Sequence, residues 1–419
     1  MAERALAQRN HCGTVFREIM LFKTLPRQTV IGLCALFACT FTALTSEVAP
    51  VGLLIDMAQG FHITEGQAGL AVSAFALMVA LGAVPLTILT AKVDRKRLML
   101  LSLGGYVLSN LIAAVAPTFL ILCAGRAIGG IAHALLMSIV SAYAARLVPP
   151  KMTGRAISFV YGGTSLGSIL GVPGAAAIGH FASWRIAMLV MTAIAVLLTV
   201  CIAFFLPPVA TSGDASTNLP SMGSRKAMRI FLIVVAIDAI FFVAHNMLYT
   251  YVTPLLLAHG LPKSVLSVAL LLTGAVSILG LWAAGQIVDR WPAAGMLAGG
   301  MAMLIGMGLM YGHILSGWGS VASVALWCTG YSALIPFVMS GAIRARATRP
   351  DVAGAAINGG SNLGILLGSA LGGQVLTWSG FSVLTPIAIA ITLTAILLAI
   401  FNPEAFPRIL NSSEEETAS

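Results

Sequence analysis

The sequence predicts an all-α membrane protein in which twelve transmembrane helices form two six-helix bundles related by a parallel repeat. Three observations carry that reading. Of the 419 residues, 58% are apolar and only 9% charged, with a mean hydropathy of +0.97. A soluble domain carries about 25% charged residues, so a chain this poor in charge along its whole length is solvated by lipid. Lys and Arg also fall on alternate sides. With a cytoplasmic N-terminus, twenty lie in inside segments, Arg185 and Lys263 lie outside, and Arg126 stands within a span. That asymmetry obeys the positive-inside rule over twelve spans and puts both termini inside. Finally, GGTSLGSILG at 162–171 matches GGSNLGILLG at 359–368 at six of ten positions, and residues 90–95 match 285–290 around a shared Val-Asp-Arg. The offsets of 197 and 195 residues place each pair in equivalent parts of two halves, the mark of a transporter built by duplication.

Each element follows from its local sequence. Residues 1–27 hold five basic residues and no apolar run ending in a small-residue cleavage site, so they read as a cytoplasmic segment rather than a signal peptide. Span one, 29–55, then directs its own insertion. Span two, 66–91, stops at the basic run Lys92 to Arg97, and spans three, 98–116, and four, 118–147, are parted at Pro117. Span five, 155–180, is rich in Gly, and span six, 184–206, starts after Ser183. Residues 207–227 are polar and rich in Pro and Ser, a linker between an N-terminal bundle, 28–206, and a C-terminal bundle, 228–403. The second bundle reads as spans 228–256, 264–288, 293–315, 317–343, 353–378 and 381–402, followed by a cytoplasmic tail, 404–419, whose end is acidic. Runs of this length and continuity are helices, since barrel strands are about ten residues long and alternate.

The motifs resemble those of the major facilitator superfamily: a Val-Asp-Arg loop after spans two and eight, Gly125-Arg126-Ala-Ile-Gly129 in span four and the Gly-rich span five. Ser46-Glu47-Val-Ala-Pro50, Ile131-Ala-His133-Ala, Gly171-Val-Pro173-Gly and Ser183-Trp184-Arg185 are similar to segments of its bacterial drug:proton antiporters, in particular the sugar-efflux and nucleoside-efflux branch. Thr90 stands where the superfamily loop opens on Gly, and Val172 separates the Gly and Pro that the antiporter motif joins. The resemblance implies the major facilitator fold, a central cavity lined by spans one, four, seven and ten, and a proton-transfer role for the span-four arginine, here Arg126.

Ionisable groups inside a span are costly and usually functional. Glu47, followed by the helix-loosening Pro50, is the expected proton carrier. Arg126 and His133 are seven residues apart and lie within about 20° on one helix face. They are assigned with Glu47 to proton coupling. Arg126 acts electrostatically or as a structural residue bonded to carbonyls, since guanidinium does not give up its proton. His133 is either a titrating partner or a helix-to-helix hydrogen bond. Asp238, His245 and Tyr249 make a polar stripe on span seven. With Asn246, Trp327, Tyr331, Asn358 and Asn362 they form the expected substrate site, packing being the alternative for each aromatic. Asp94, Arg95, Asp289 and Arg290 of the two loops, with Gly167, Gly171 and Pro173, are assigned to conformational gating. The resemblance implies that Asp94 pairs across the interface of the halves; capping a helix end is the other reading.

No HExxH or paired intramembrane Asp motif points to an enzyme. Cys12, Cys34, Cys39, Cys123, Cys201 and Cys328 form no CxxC, so neither disulfide nor metal is expected. Topology accounts for the net charge of +9, and no nucleic-acid partner is expected. The reading is a monomeric, proton-gradient-driven exporter of a small neutral or mildly polar molecule (a sugar, nucleoside or drug), without cofactor, in the lipid bilayer of the bacterial inner membrane. An uptake symporter or facilitator of the same superfamily is the alternative.

Overall fold

A computed structural model describes residues 25–90, 93–149, 152–209, 224–311, 315–348 and 350–407. Within these, twelve long helices follow one another: α1 Arg27–Phe61, α2 Leu70–Leu89, α3 Arg95–Val115, α4 Phe119–Leu147, α5 Thr153–Phe181 and α6 Trp184–Phe205, then α7 Arg225–Tyr249, α8 Leu266–Ile287, α9 Pro292–Tyr311, α10 Trp318–Arg344, α11 Pro350–Ser379 and α12 Phe381–Phe401. Each sequence-predicted span falls on one of these helices. The N-terminal segment to residue 24, residues 210–223 of the linker and 408–419 of the tail lie outside the described residues.

The chain sets helix ends by familiar chemistry. Asp94, Thr118, Ser183 and Ser224 cap α3, α4, α6 and α7, each side chain accepting from the backbone N–H three residues on. Gly317 and Gly380 take positive φ, 54° and 68°, at the turns that open α10 and α12. The span expected at 228–256 is broken: α7 stops at Tyr249 and a short helix, Val252–Ala258, restarts with Pro254 in its first turn. Proline has no N–H to continue the helix and disrupts it least in that first turn.

Helix packing repeats between the halves. α1 lies along α5 as α7 lies along α11, and the pairs α2 with α4, α3 with α4, α3 with α6 and α1 with α6 recur as α8 with α10, α9 with α10, α9 with α12 and α7 with α12. The two largest contacts between halves, α5 with α8 and α2 with α11, exchange under the same relation. Bare glycine faces make the tightest pairs. A Cβ on Gly163 would run into the Phe37 carbonyl and Thr40 of α1, and one on Gly364 into the Ala239 carbonyl and Phe242 of α7. Leu81, Leu89, Leu120, Leu197, Phe204 and Phe401 point outward, as lipid contact requires.

Eleven helices are long and apolar enough to cross a membrane by length and composition. The other long helix, α11, has 30 residues but carries seven Gly together with Asn358, Ser361, Asn362 and Ser369. It is packed against α7 and α2.

The halves close on each other at the end of the bundle away from Arg27. Ser73 and Ser369 hydroxyls meet at 2.7 Å, Thr64 and Thr377 hydroxyls at 3.4 Å, and the Tyr251 hydroxyl donates to the Ser369 carbonyl at 2.6 Å. Lys263 pairs with Asp56 at 3.3 Å across the same seam.

Candidate functional site: two corresponding half-sites

The first half-site is built around a proline. Pro50 in α1 has no N–H, so the carbonyl of Ser46, four residues earlier, loses its helical donor. Arg126 of α4 supplies one. Its Nη1 donates to Ser46 O at 2.7 Å, its Nη2 to Glu47 O at 2.7 Å, and its Nε to Ala71 O of α2 at 3.3 Å. The guanidinium sits 4.5 Å from the ring centroid of Phe75, and the side chain is 0% exposed. Gly130 brings α4 against the Phe75 backbone, which sets that ring over the cation. Arg126 thus holds α1 and α2 at the turn that presents Glu47.

The Glu47 carboxyl, 8% exposed, lies 3.6 Å from Nδ1 of His133, and the same nitrogen lies 3.0 Å from the Tyr106 hydroxyl. Ser46 Oγ donates to Asn110 Oδ1 at 3.0 Å. The structure therefore gathers Glu47, Arg126 and His133 as the sequence predicts, but the cation bonds backbone while the histidine meets the acid. Tyr106 and Asn110 of α3 went unread. Their i, i+4 spacing on one face of an apolar helix was the available signal.

The second half-site is aromatic. His245 of α7 stacks on Tyr331 of α10, with centroids 3.5 Å apart and planes 7° apart, and on Tyr249 at 4.7 Å. Trp327 meets His245 edge-on at 5.3 Å. His245 Nδ1 and Trp327 Nε1 are buried without a hydrogen-bond partner among the described residues. Asn246 and Asn362 instead turn to their own helices, donating to Phe242 O and Asn358 O at 3.0 Å each. Asp238 is sealed between α7 and α11, 2% exposed, where Ser361 Oγ donates to it at 2.7 Å.

The half-sites correspond. Glu47 and His245 are 198 residues apart, as are His133 and Tyr331, so an α1–α4 pair in one half answers an α7–α10 pair in the other.

The loop motifs divide. Asp94 caps α3, accepting from Arg97 N at 2.8 Å. Asp289 pairs with Arg344 within its own half, and Arg344 also donates to Pro407 O at 3.0 Å. Arg95 begins α3 and Arg290 is exposed at the turn before α9. Gly167 and Gly171 lie against Phe41, Thr45 and Val48 of α1. Pro173 leaves the Ile169 carbonyl without its helical donor at the place where Gly274 of α8 backs onto α5.

Known proteins bear out the architecture. A chloramphenicol efflux pump of Mycobacterium tuberculosis, matched in two strains, is 28% identical over 352 residues, covering 81% of this chain and 84% of the pump. The crystal structure of a bacterial homolog of the human lysosomal transporter Spinster, inward-facing and unoccupied, superposes with a TM-score of 0.65 at 15% identity over 91% of this chain and 96% of that one. That of the human organic anion transporter TETRAN gives 0.62 at 16% identity over 89% and 100%. Residues 36–357 match the family model of the Major Facilitator Superfamily, and the chain belongs to that superfamily of membrane transporters.

Proposed function

We propose that this transporter exports a small neutral or mildly polar molecule in exchange for protons, with Glu47 as the proton carrier. The observation that carries the reading is the Glu47 carboxyl, withdrawn from water, 3.6 Å from His133, on a turn of α1 whose backbone Arg126 holds. An acid placed so exchanges its proton when its surroundings change. In the proposed cycle substrate enters from the cytoplasm, docks between the aromatic cluster of α7 and α10 and the Glu47–His133 pair, and favours release of the proton. The halves then rock, the seam held by Asp56–Lys263 and Ser73–Ser369 opens, and substrate leaves as Glu47 is reprotonated. Asp94, Arg95, Asp289, Arg290, Gly167, Gly171 and Pro173 serve the rocking.

Among substrates, the stacked His245, Tyr249 and Tyr331 with two unpartnered ring nitrogens favour a planar molecule with hydrogen-bonding groups. The name of the Mycobacterium tuberculosis relative supports a drug of the chloramphenicol kind ahead of a sugar or nucleoside. The reading takes the protein as an inner-membrane monomer, and the Lys and Arg distribution favours both termini in the cytoplasm. Uptake of radiolabelled chloramphenicol, sugars and nucleosides into inside-out vesicles, with and without an imposed pH gradient, tests the reading. Wild type is expected to concentrate its substrate only with the gradient, and Glu47→Gln to bind and exchange but not concentrate it. Gradient-driven accumulation by Glu47→Gln would refute the carrier role.

A further inference from the structure

The acid of the second half has no part in the aromatic cluster. Asp238 stands midway along α7 and its carboxyl lies between α7 and α11, where Ser361 Oγ donates to Oδ2 at 2.7 Å. Among the described residues no Lys or Arg lies within ion-pair distance of it. The groups around it are few. On its own helix the nearest titratable side chain on that face is His245, two turns on, while Arg229 is nine residues back, about 13 Å along the axis. From α10 come Tyr331 and Cys328. The described side chains of α11 offer Ser361 and Asn362, neither of which titrates, and α12 has no charged side chain. A carboxylate in such surroundings pays several kcal/mol for its charge with no cation to offset it.

The fold does not ask for an acid at this place. The packing of Gly163 against Phe37 and Thr40 in the first half answers that of Gly360 against Val235 and Asp238 in the second, so Thr40 is the counterpart of Asp238. Thr40 ties α1 to α5 by donating to Val160 O at 2.6 Å, and a neutral hydroxyl suffices. Asp238 turns into the α7–α11 seam, 2% exposed, and a proton needs only a brief opening of that seam to reach it.

We propose that Asp238 is a second proton-binding site, so that two protons, one on Glu47 and one on Asp238, enter from outside and leave to the cytoplasm for each substrate molecule exported. This rests on the exporter reading with Glu47 as carrier and adds a site to it. Asp238 takes up one proton as a carboxylate and gives up the same proton as the neutral acid; Ser361 holds the carboxyl in either form.

The test is a transport equilibrium. With purified protein in vesicles, radiolabelled chloramphenicol as substrate, the membrane potential held at zero and a pH difference of one unit, each coupled proton multiplies the final concentration ratio about tenfold. Wild type is expected to reach about 100-fold, Asp238→Asn about 10-fold, and Ser361→Ala, which keeps the acid, about 100-fold. Asp238→Thr, which installs the residue of the first half, gives the same 10-fold reading should the Asn variant not fold. A wild-type ratio near 10-fold, or one that neither Asp238 variant lowers, overturns the second site while leaving Glu47 coupling intact. A wild-type ratio that ignores the pH difference refutes proton coupling itself, and the second site with it.

Discussion

The bond between Arg126 and the Ser46 carbonyl makes a quantitative prediction about why a charge is buried in this membrane protein. Of the three carbonyls that Arg126 reaches, those of Glu47 and Ala71 keep their helical donors at Val51 and Phe75 when the arginine is removed. Ser46 O does not, because residue 50 is proline. Arg126→Met therefore leaves one orphaned backbone acceptor in an apolar interior, at about 1–3 kcal/mol, and loses a cation–π contact of about 0.5–2 kcal/mol. Pro50→Ala restores an N–H four residues after Ser46 and removes the orphan, but not the lost cation–π contact. The two changes should therefore be coupled: Arg126→Met is expected to cost about 1–2 kcal/mol less in the Pro50→Ala background than alone. Side-chain hydrogen bonds in membranes average about 0.6 kcal/mol in such cycles, with a maximum near 1.7, and an acceptor with no other donor belongs at the upper end. The assay is the unfolding free energy of the four proteins by SDS titration in mixed micelles. Additivity within about 0.5 kcal/mol would refute the account, since independent sites add to that margin.

Further expectations follow from the seam and the glycine faces. Cysteines at Thr64 and Thr377, whose hydroxyls are 3.4 Å apart, should form a disulfide in a background lacking the native cysteines and stop transport until reduced; free transport by the oxidised protein would exclude opening at that seam. Gly163→Ala should cost about 1–3 kcal/mol of stability, because its Cβ meets α1 backbone, while Gly104→Ala, with open space around it, should be neutral or stabilising by up to about 1 kcal/mol. Equal losses of melting temperature would show that close approach is not what these positions are for. A cysteine at Lys263 should react with impermeant thiol reagents in right-side-out vesicles and one at Ser224 only in inside-out vesicles; the reverse pattern would invert the proposed orientation.

The helices were legible because lipid imposes a simple rule. Every span must be long, apolar and internally hydrogen-bonded, so a hydropathy reading placed ends such as Leu147 and Trp184 to within a residue. The break at Thr250 is hidden in the sequence because Pro254, which marks the restart of a helix, stands inside a continuous apolar run. At the site, heptad spacing correctly put Arg126 and His133 on one face. What Arg126 bonds was recoverable only by asking which carbonyl Pro50 leaves without a donor. Partners from other helices, Tyr106, Phe75 and Ser361, depend on how α3, α2 and α11 rotate against their neighbours, which no local pattern records.

The polarity of α11 has a consequence for how the protein is made. A helix carrying seven Gly and two Asn gains less from the bilayer than any of its neighbours. Its retention in the membrane during synthesis must draw on contacts with helices already there. α7, whose Ala239 and Val243 carbonyls receive its glycine face, emerges from the ribosome well ahead of it. α12 is strongly apolar but must enter in the opposite sense, so its orientation is set by whether α11 has found α7. Substitutions on the α7 face that meets Gly364 and Gly368 should thus appear first as misinserted or degraded chains, before any fault in transport can be measured.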